Sequence, residues 1–231
     1  MSDITAHPER ASSLSNVKTI ATLGMLTALA YAVMAVCKVI PAVGGFLSFD
    51  LKDTVMAIGG FLFGPAAALA MAIVVPFIEF LTVSDTGWYG LLMNIIATSI
   101  FVLPAVILYR RKHKTSAAIL GLVVGVVCLT LGMMLWNYII TPLYFGMPRA
   151  SVVDMMPMIT AFNLVKGTCN AALIMLVYPP VSAALRRAGL VAPSRHLPTG
   201  EKPKFNYVPM FVSALVLLTA VLFLLSLLEI I

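Results

Sequence analysis

Long apolar runs separated by short polar breaks make up most of the chain, and they predict membrane-spanning helices. The six longest runs cover residues 17–39, 65–82, 91–109, 117–140, 156–185 and 207–228. Each is long enough to cross about 30 Å of hydrocarbon as a helix. A further run, TVMAIGGFLFG at 54–64, is too short to cross. It predicts a short helix packed within protein.

Glycine and proline mark the breaks between these runs. Pro41, Gly44 and Gly45 lie in a predicted loop over residues 40–53, and SDTGWYG at 84–90 predicts a tight polar turn with two aromatic interface anchors. Pro142 is expected to close the run at 117–140. The segment FGMPRASVVD at 145–154 predicts a loop before the next helix.

These elements predict an all-α integral membrane protein. Residues 17–187 form a six-helix membrane domain, provided that the short run and its neighbour at 65–82 together cross the membrane in and out. The predicted flanks are a polar cytoplasmic N-terminus at 1–16, a basic cytoplasmic linker at 188–206 and an additional transmembrane helix within 207–231.

Composition supports a membrane protein and excludes a separate soluble catalytic domain. Hydrophobic residues make up 61% of the chain and charged residues 10%, far from the composition of a soluble domain. The three cysteines lie in apolar segments without CxxC spacing, so we expect them to be small buried side chains.

The basic residues predict the orientation. With the N-terminus inside, eleven of the fifteen lysines and arginines are cytoplasmic: Arg10, Lys18, Arg110, Arg111, Lys112, Lys114, Arg186, Arg187, Arg195, Lys202 and Lys204. The net charge of +6 is then a signal of topology rather than of an acidic partner such as nucleic acid. The expected location is a cell membrane.

A polar stripe interrupts the run at 156–185. On a helix, Asn163, Lys166 and Asn170 fall within roughly 60° of one another. A charge and two amides are costly against lipid, so they should face a bundle interior or a cavity. Both a ligand site and a purely structural internal pairing fit this stripe.

Polar residues in the other runs reach a similar depth. Glu79 and Asn94 lie near the outer ends of neighbouring helices, and Asn137 and Thr141 share one face of another. Together with the stripe they predict a small-molecule site open to the outside. Flat walls could come from five aromatic residues: Trp136, Tyr138, Tyr144, Phe49 and Phe162.

Small residues form a ridge on the first helix. Gly24, Ala28 and Ala32 recur every four positions, and such a ridge lets another helix approach closely. The spacing alone leaves two interpretations equally open: packing inside this bundle, or docking to another membrane subunit.

The motifs favour binding over catalysis. GxxxxGK[ST], HExxH and GxSxG are absent from the sequence, and every histidine lies outside the predicted spans. Two alternatives stay open. The chain is a small membrane enzyme with Glu79 and Lys166 as a catalytic pair, or a structural subunit in which these two residues form a buried ion pair.

Four segments resemble one known family, the substrate-binding S components of energy-coupling factor (ECF) vitamin transporters, most closely the riboflavin-specific members. The segments are FDLKDTVMAIGGFLFGP, EF…SDTGWYGLLMN, MMLWNYIITPLYFG and FNLVKGTCN, and the resemblance covers residues 17–185. It implies a six-helix bundle that binds its vitamin near the outer face under the first long loop. The helix at 207–228 departs from this pattern.

The resemblance also implies roles for particular residues. Asn137, Asn163 and Lys166 would contact the ribityl chain or polar ring atoms of riboflavin. The weaker assignments are Glu79, Asn94, Thr141 and Asp50. The ridge of Gly24, Ala28 and Ala32 would dock to a transmembrane coupling protein, which works with two ATP-binding subunits. Riboflavin would be transported rather than serve as a cofactor.

The ligand itself stays open among related compounds. FMN, folate and a pyrimidine-type precursor are alternatives to riboflavin. Arg149 and Lys52 are expected near the entrance, where they could attract a phosphate.

Overall fold

The computed structural model describes residues 8–84, 86–191 and 207–228, and in these ranges the chain is all helical. The helices are α1 (Pro8–Cys37), α2 (Lys52–Phe63), α3 (Pro65–Thr82), α4 (Gly87–Lys112), α5 (Thr115–Phe145), α6 (Arg149–Arg187) and α7 (Tyr207–Leu227). All except α2 are long and apolar enough to cross a membrane. The predicted fold, a six-helix bundle with one additional helix, is confirmed. Residues 1–7 lie outside the described ranges, as do residues 192–206, which make up most of the predicted linker at 188–206.

The short helix α2 is enclosed by its neighbours. It packs against α1, α3, α4 and α6, and its residues 52–61 are all buried. Gly64 then adopts a φ of 111°, a conformation that suits glycine, and Pro65 starts α3 at once. The prediction of a short helix within protein is therefore confirmed.

Helices α4 and α5 pack in close contact with each other. A Cβ atom at Gly121 would lie 2.7 Å from the Cα of Ala105, and one at Gly125 would overlap the carbonyl oxygen of Phe101. These glycines let the two backbones approach, as small residues do between membrane helices. Phe101, Leu122 and Leu129 fill the surrounding core.

Several predicted boundaries were wrong because helices extend further than the proline and glycine signals suggest. Pro142 lies inside α5, which continues to Phe145. A proline removes one hydrogen bond, whereas ending a helix in an apolar environment leaves several carbonyls without donors. Likewise, α6 begins at Arg149, directly after the extended Pro148, so the predicted loop at 145–154 is only a short turn.

The remaining helix, α7, packs against α6. Ala220 and Leu224 are buried there, in a cluster with Ile159 and Phe162 of α6. Most other side chains of α7 are exposed at the surface of the protein, as expected for a helix surrounded by lipid.

The loop between α1 and α2, residues 38–51, folds over one end of the bundle. Val43 and Leu47 exchange backbone hydrogen bonds around Gly44 and Gly45, both with positive φ. Val43, Leu47 and Phe49 are buried against Ile159, Phe162 and Val165 of α6. The loop is thus a cover packed on the bundle.

Candidate functional site

A cavity of about 40 Å³ lies beneath the loop 38–51. Six of the seven predicted binding residues line it: Asp50, Glu79, Asn94, Asn137, Asn163 and Lys166. They come from the loop and from α3, α4, α5 and α6, so the bundle brings together residues that are far apart in sequence. That these residues bind a ligand stays a prediction.

Lys166 and Asp50 join α6 to the loop. The Lys166 Nζ donates a hydrogen bond to the Asp50 Oδ2 at 2.8 Å, and both residues are buried. Burial alone would raise the pKa of the Asp50 carboxyl, but the ammonium groups of Lys166 and Lys52 outweigh it and lower the pKa to about 2. The carboxylate therefore stays ionised, and the pair persists, at neutral pH.

Glu79 pairs with Lys52, which was expected near the entrance and is instead fully buried. The Lys52 Nζ donates to the Glu79 Oε2 at 2.8 Å and lies 3.5 Å from the Asp50 Oδ2. A sequence signal for this burial exists, because Asp50, Lys52 and Asp53 alternate in charge directly before a wholly apolar run. Charges in such a place must pair with one another.

The pairing of Glu79 with Lys166, which the enzyme and structural-subunit alternatives assumed, is therefore wrong. Glu79 accepts from Lys52 and, at 3.2 Å, from the Asn94 amide; Lys166 pairs with Asp50. The Lys38 ammonium, at the start of the loop, lies 3.5 Å from the other Glu79 oxygen. The sequence could not assign these pairs because each carboxylate had several cations within reach of its segment.

Asn137 on α5 is held by its neighbours. Its Oδ1 accepts from the Thr141 hydroxyl at 2.8 Å and from the Tyr89 hydroxyl at 3.4 Å, and its amide donates to the Met133 carbonyl at 2.8 Å. Thr141, the seventh predicted binding residue, lies behind Asn137 and is fully buried. The arrangement fixes which edge of the Asn137 amide faces the cavity.

Tyr89 was wrongly expected to be an interface anchor. It is buried, hydrogen-bonded to Thr141 at 2.8 Å and stacked on Tyr144. Its neighbour Trp88 is exposed, as predicted. The sequence could not tell which of these two adjacent rings is buried, because the rotational phase of the helix decides which of them points inward.

On α6, the residues of the polar stripe have two different roles. Asn163 lines the cavity and donates to the Ile159 carbonyl. Asn170, one turn deeper than Lys166, holds the start of α2: its Oδ1 accepts from the Thr54 amide at 3.0 Å, and its Nδ2 donates to the Asp50 carbonyl at 3.1 Å. One of the three stripe residues, Asn170, is therefore structural.

Apolar side chains complete the cavity wall. Phe46 and Leu47 of the loop and Phe162 of α6 form one side, and Met93 and Met133 form another. Of the five aromatic residues proposed as flat surfaces, Phe162 lines the cavity, Phe49 is buried in the loop cluster, and Tyr144 packs on Tyr89. Phe46 was not predicted.

The ridge on α1 faces away from the bundle. Gly24, Ala28 and Ala32 are exposed, whereas Leu26 and Ala30 on the opposite face are buried. A Cβ atom at Gly24 would meet nothing within 4 Å. Packing inside the bundle, one of the two interpretations of this ridge, is therefore wrong.

Known proteins share this sequence pattern and fold. Residues 18–178 match the family described as ECF transporter, substrate-specific component. The riboflavin transporter RibU of Staphylococcus aureus is 27% identical over 74% of this chain and 93% of its own length. The riboflavin transporter FmnP of Bacillus subtilis is 23% identical over 70% of this chain and 90% of its own.

A solved structure supports the same relationship. The S component of a bacterial ECF transporter superposes with a TM-score of 0.64 at 27% identity, over 74% of this chain and 99% of that one. Because the family match covers more than two thirds of the sequence, the chain belongs to the substrate-specific components of ECF transporters, which are membrane transport proteins and not enzymes.

Proposed function

We propose that this protein binds riboflavin as the substrate-specific subunit of a bacterial ECF-type uptake transporter. The convergence of Asn137, Asn163 and Lys166 on one covered cavity is the observation that carries the proposal. The family resemblance assigns riboflavin binding to these three residues. Two similar proteins are named as riboflavin transporters, which supports the same ligand.

The cavity must enlarge for the vitamin to enter. Its volume of about 40 Å³ is far below the roughly 300 Å³ at which small-molecule pockets begin. Phe46, Leu47 and Ser48 of the loop line it, and the loop is attached to α6 by the Asp50–Lys166 pair. Movement of residues 38–51 is thus the simplest way to admit a ring system and to close over it.

We place this cavity on the outer side, with the N-terminus in the cytoplasm. Arg110, Arg111 and Lys112 end α4, and Arg186 and Arg187 end α6, at the end of the bundle opposite the loop. Basic residues favour the cytoplasmic side. Uptake then proceeds from the loop end inward, driven by a coupling protein and two ATP-binding subunits.

The visible absorption spectrum of the detergent-purified chain tests the ligand. We expect a yellow protein that keeps its flavin through gel filtration and releases riboflavin on denaturation. Chromatography of the pigment separates riboflavin from FMN. A colourless protein that also fails to quench riboflavin fluorescence at micromolar concentration would contradict the proposal, and other vitamins would then be screened.

The α1 ridge gives a second prediction, for the partner. Ala28→Trp places a large ring on the exposed small-residue face, so it should block close approach of a coupling helix. We expect co-purification with the coupling complex to fall at least tenfold, while riboflavin affinity stays within about threefold. Ala214→Trp, on the exposed face of α7, is the matched control and should leave both unchanged. Unchanged assembly in Ala28→Trp would exclude the ridge from the interface.

A further inference from the structure

Lys52 stands behind the cavity rather than in its wall. Its side chain is fully buried, and its Nζ lies 2.8 Å from Glu79 and 3.5 Å from Asp50, two carboxylates that do line the cavity. A cation so far from water persists only where anions hold it. Lys52 therefore contacts the loop and α3 at once, through the groups that a ligand would meet.

We propose that Lys52 is a positioning residue, which orients the Asp50 and Glu79 carboxylates and cancels their charge, so that the closed cavity accepts an uncharged ligand. This inference rests on the proposed binding of riboflavin. Without the Lys52 ammonium, the loop could close only by burying Asp50 and Glu79 against fewer cations. Closure, and with it binding, would then become costly.

Lys52 belongs to a cluster of three lysines and three carboxyl groups. The titratable groups around it are Cys37 at the end of α1, Lys38 and Asp50 of the loop, Asp53 of α2, Glu79 of α3 and Lys166 of α6. From α4 come Asn94 and Thr98, which do not titrate; Thr98 donates to Asp53 at 2.6 Å. Of the three carboxyl groups, Lys52 contacts the two that line the cavity, Asp50 and Glu79.

The test compares riboflavin affinity at pH 7.5 and 5.5 in wild type, Lys52→Met and Lys114→Met. We expect Lys52→Met to weaken binding at least thirtyfold at pH 7.5, and the loss to shrink several-fold at pH 5.5, because protonation of a carboxylate replaces the missing cation. Lys114 is exposed at the end of the bundle opposite the loop 38–51. Its variant should bind within about threefold of wild type at both pH values.

Two further measurements separate positioning from a general loss of folding. The double variant Lys52→Met/Glu79→Gln removes both partners, so it should recover most of the affinity lost in Lys52→Met. The melting temperature of Lys52→Met without ligand should also rise, relative to wild type, between pH 7.5 and 5.5. If Lys52→Met does not fold, the double variant and its affinity decide the question.

Three results would overturn the inference: wild-type affinity in Lys52→Met, an equal loss at both pH values, or a double variant no better than the single one. Wild type that binds no riboflavin would instead contradict the proposed function. In that case the pH dependence of the melting temperature still decides whether Lys52 balances the two carboxylates.

Discussion

Lys166→Met is expected to weaken riboflavin binding by about two orders of magnitude. The Lys166 ammonium lines the cavity and pairs with Asp50 at 2.8 Å. In the open state Asp50 can be hydrated, so the cost of burying it without a partner falls on the closed, ligand-bound state. Breaking a buried pair costs roughly 3–5 kcal/mol. Lys52, 3.5 Å from Asp50, offsets part of this, and about 2.7 kcal/mol remains, or two decades.

Quenching of riboflavin fluorescence by the purified protein measures this effect. Lys114→Met, which removes an exposed lysine from the opposite end of the bundle, is the control and should bind as wild type does. Adding Asp50→Asn to Lys166→Met should recover part of the affinity, since it removes the unpaired carboxylate. An affinity within threefold of wild type in Lys166→Met would exclude Lys166 from the site.

Gly125→Ala is expected to destabilise the bundle strongly. Its new methyl group would overlap the Phe101 carbonyl oxygen, and backbone atoms cannot rotate away as a side chain can. Overpacking of this kind costs about 1–3 kcal/mol, so we expect the melting temperature to fall by roughly 4–8 °C. Thermal unfolding followed by tryptophan fluorescence measures the shift.

Gly132→Ala is the matched control on the same helix. Its methyl group would meet the Cδ1 of Ile100, the end of a flexible side chain, and alanine favours the helix by up to about 1 kcal/mol over glycine. We expect a melting temperature within about 2 °C of wild type. If both variants lost the same amount of melting temperature, the close backbone contact at Gly125 would not be the cause of the destabilisation.

Local sequence was sufficient to predict the helices and their location in a membrane. Hydrophobic run length depends on nearest neighbours along the chain and on the thickness of the bilayer, so seven helices could be placed, including the buried α2. Boundaries failed at Pro142 and at Arg149. There the apolar environment favours continuing a helix over exposing its end.

Most of the polar residues that line the cavity could also be predicted. Asn137, Asn163 and Lys166 are polar at membrane depth, where a polar side chain needs a partner or a cavity. The helix period put them on inward faces, and the depth of each along its helix put them at one level. That the cavity now contains six of the seven predicted residues follows from these local constraints.

The partners of each charge depended on tertiary structure alone. Asp50 and Lys166 are 116 residues apart, and nothing in either segment distinguishes this pair from Glu79 with Lys166. Helix phase and the fold of the loop 38–51 set the distances, and these turned Tyr89 inward and buried Lys52. The sequence determined the helices and the depth of their polar groups because both follow from local hydrophobicity. Packing between distant segments decided which charged residues pair, how the loop 38–51 covers the cavity, and how large the cavity is.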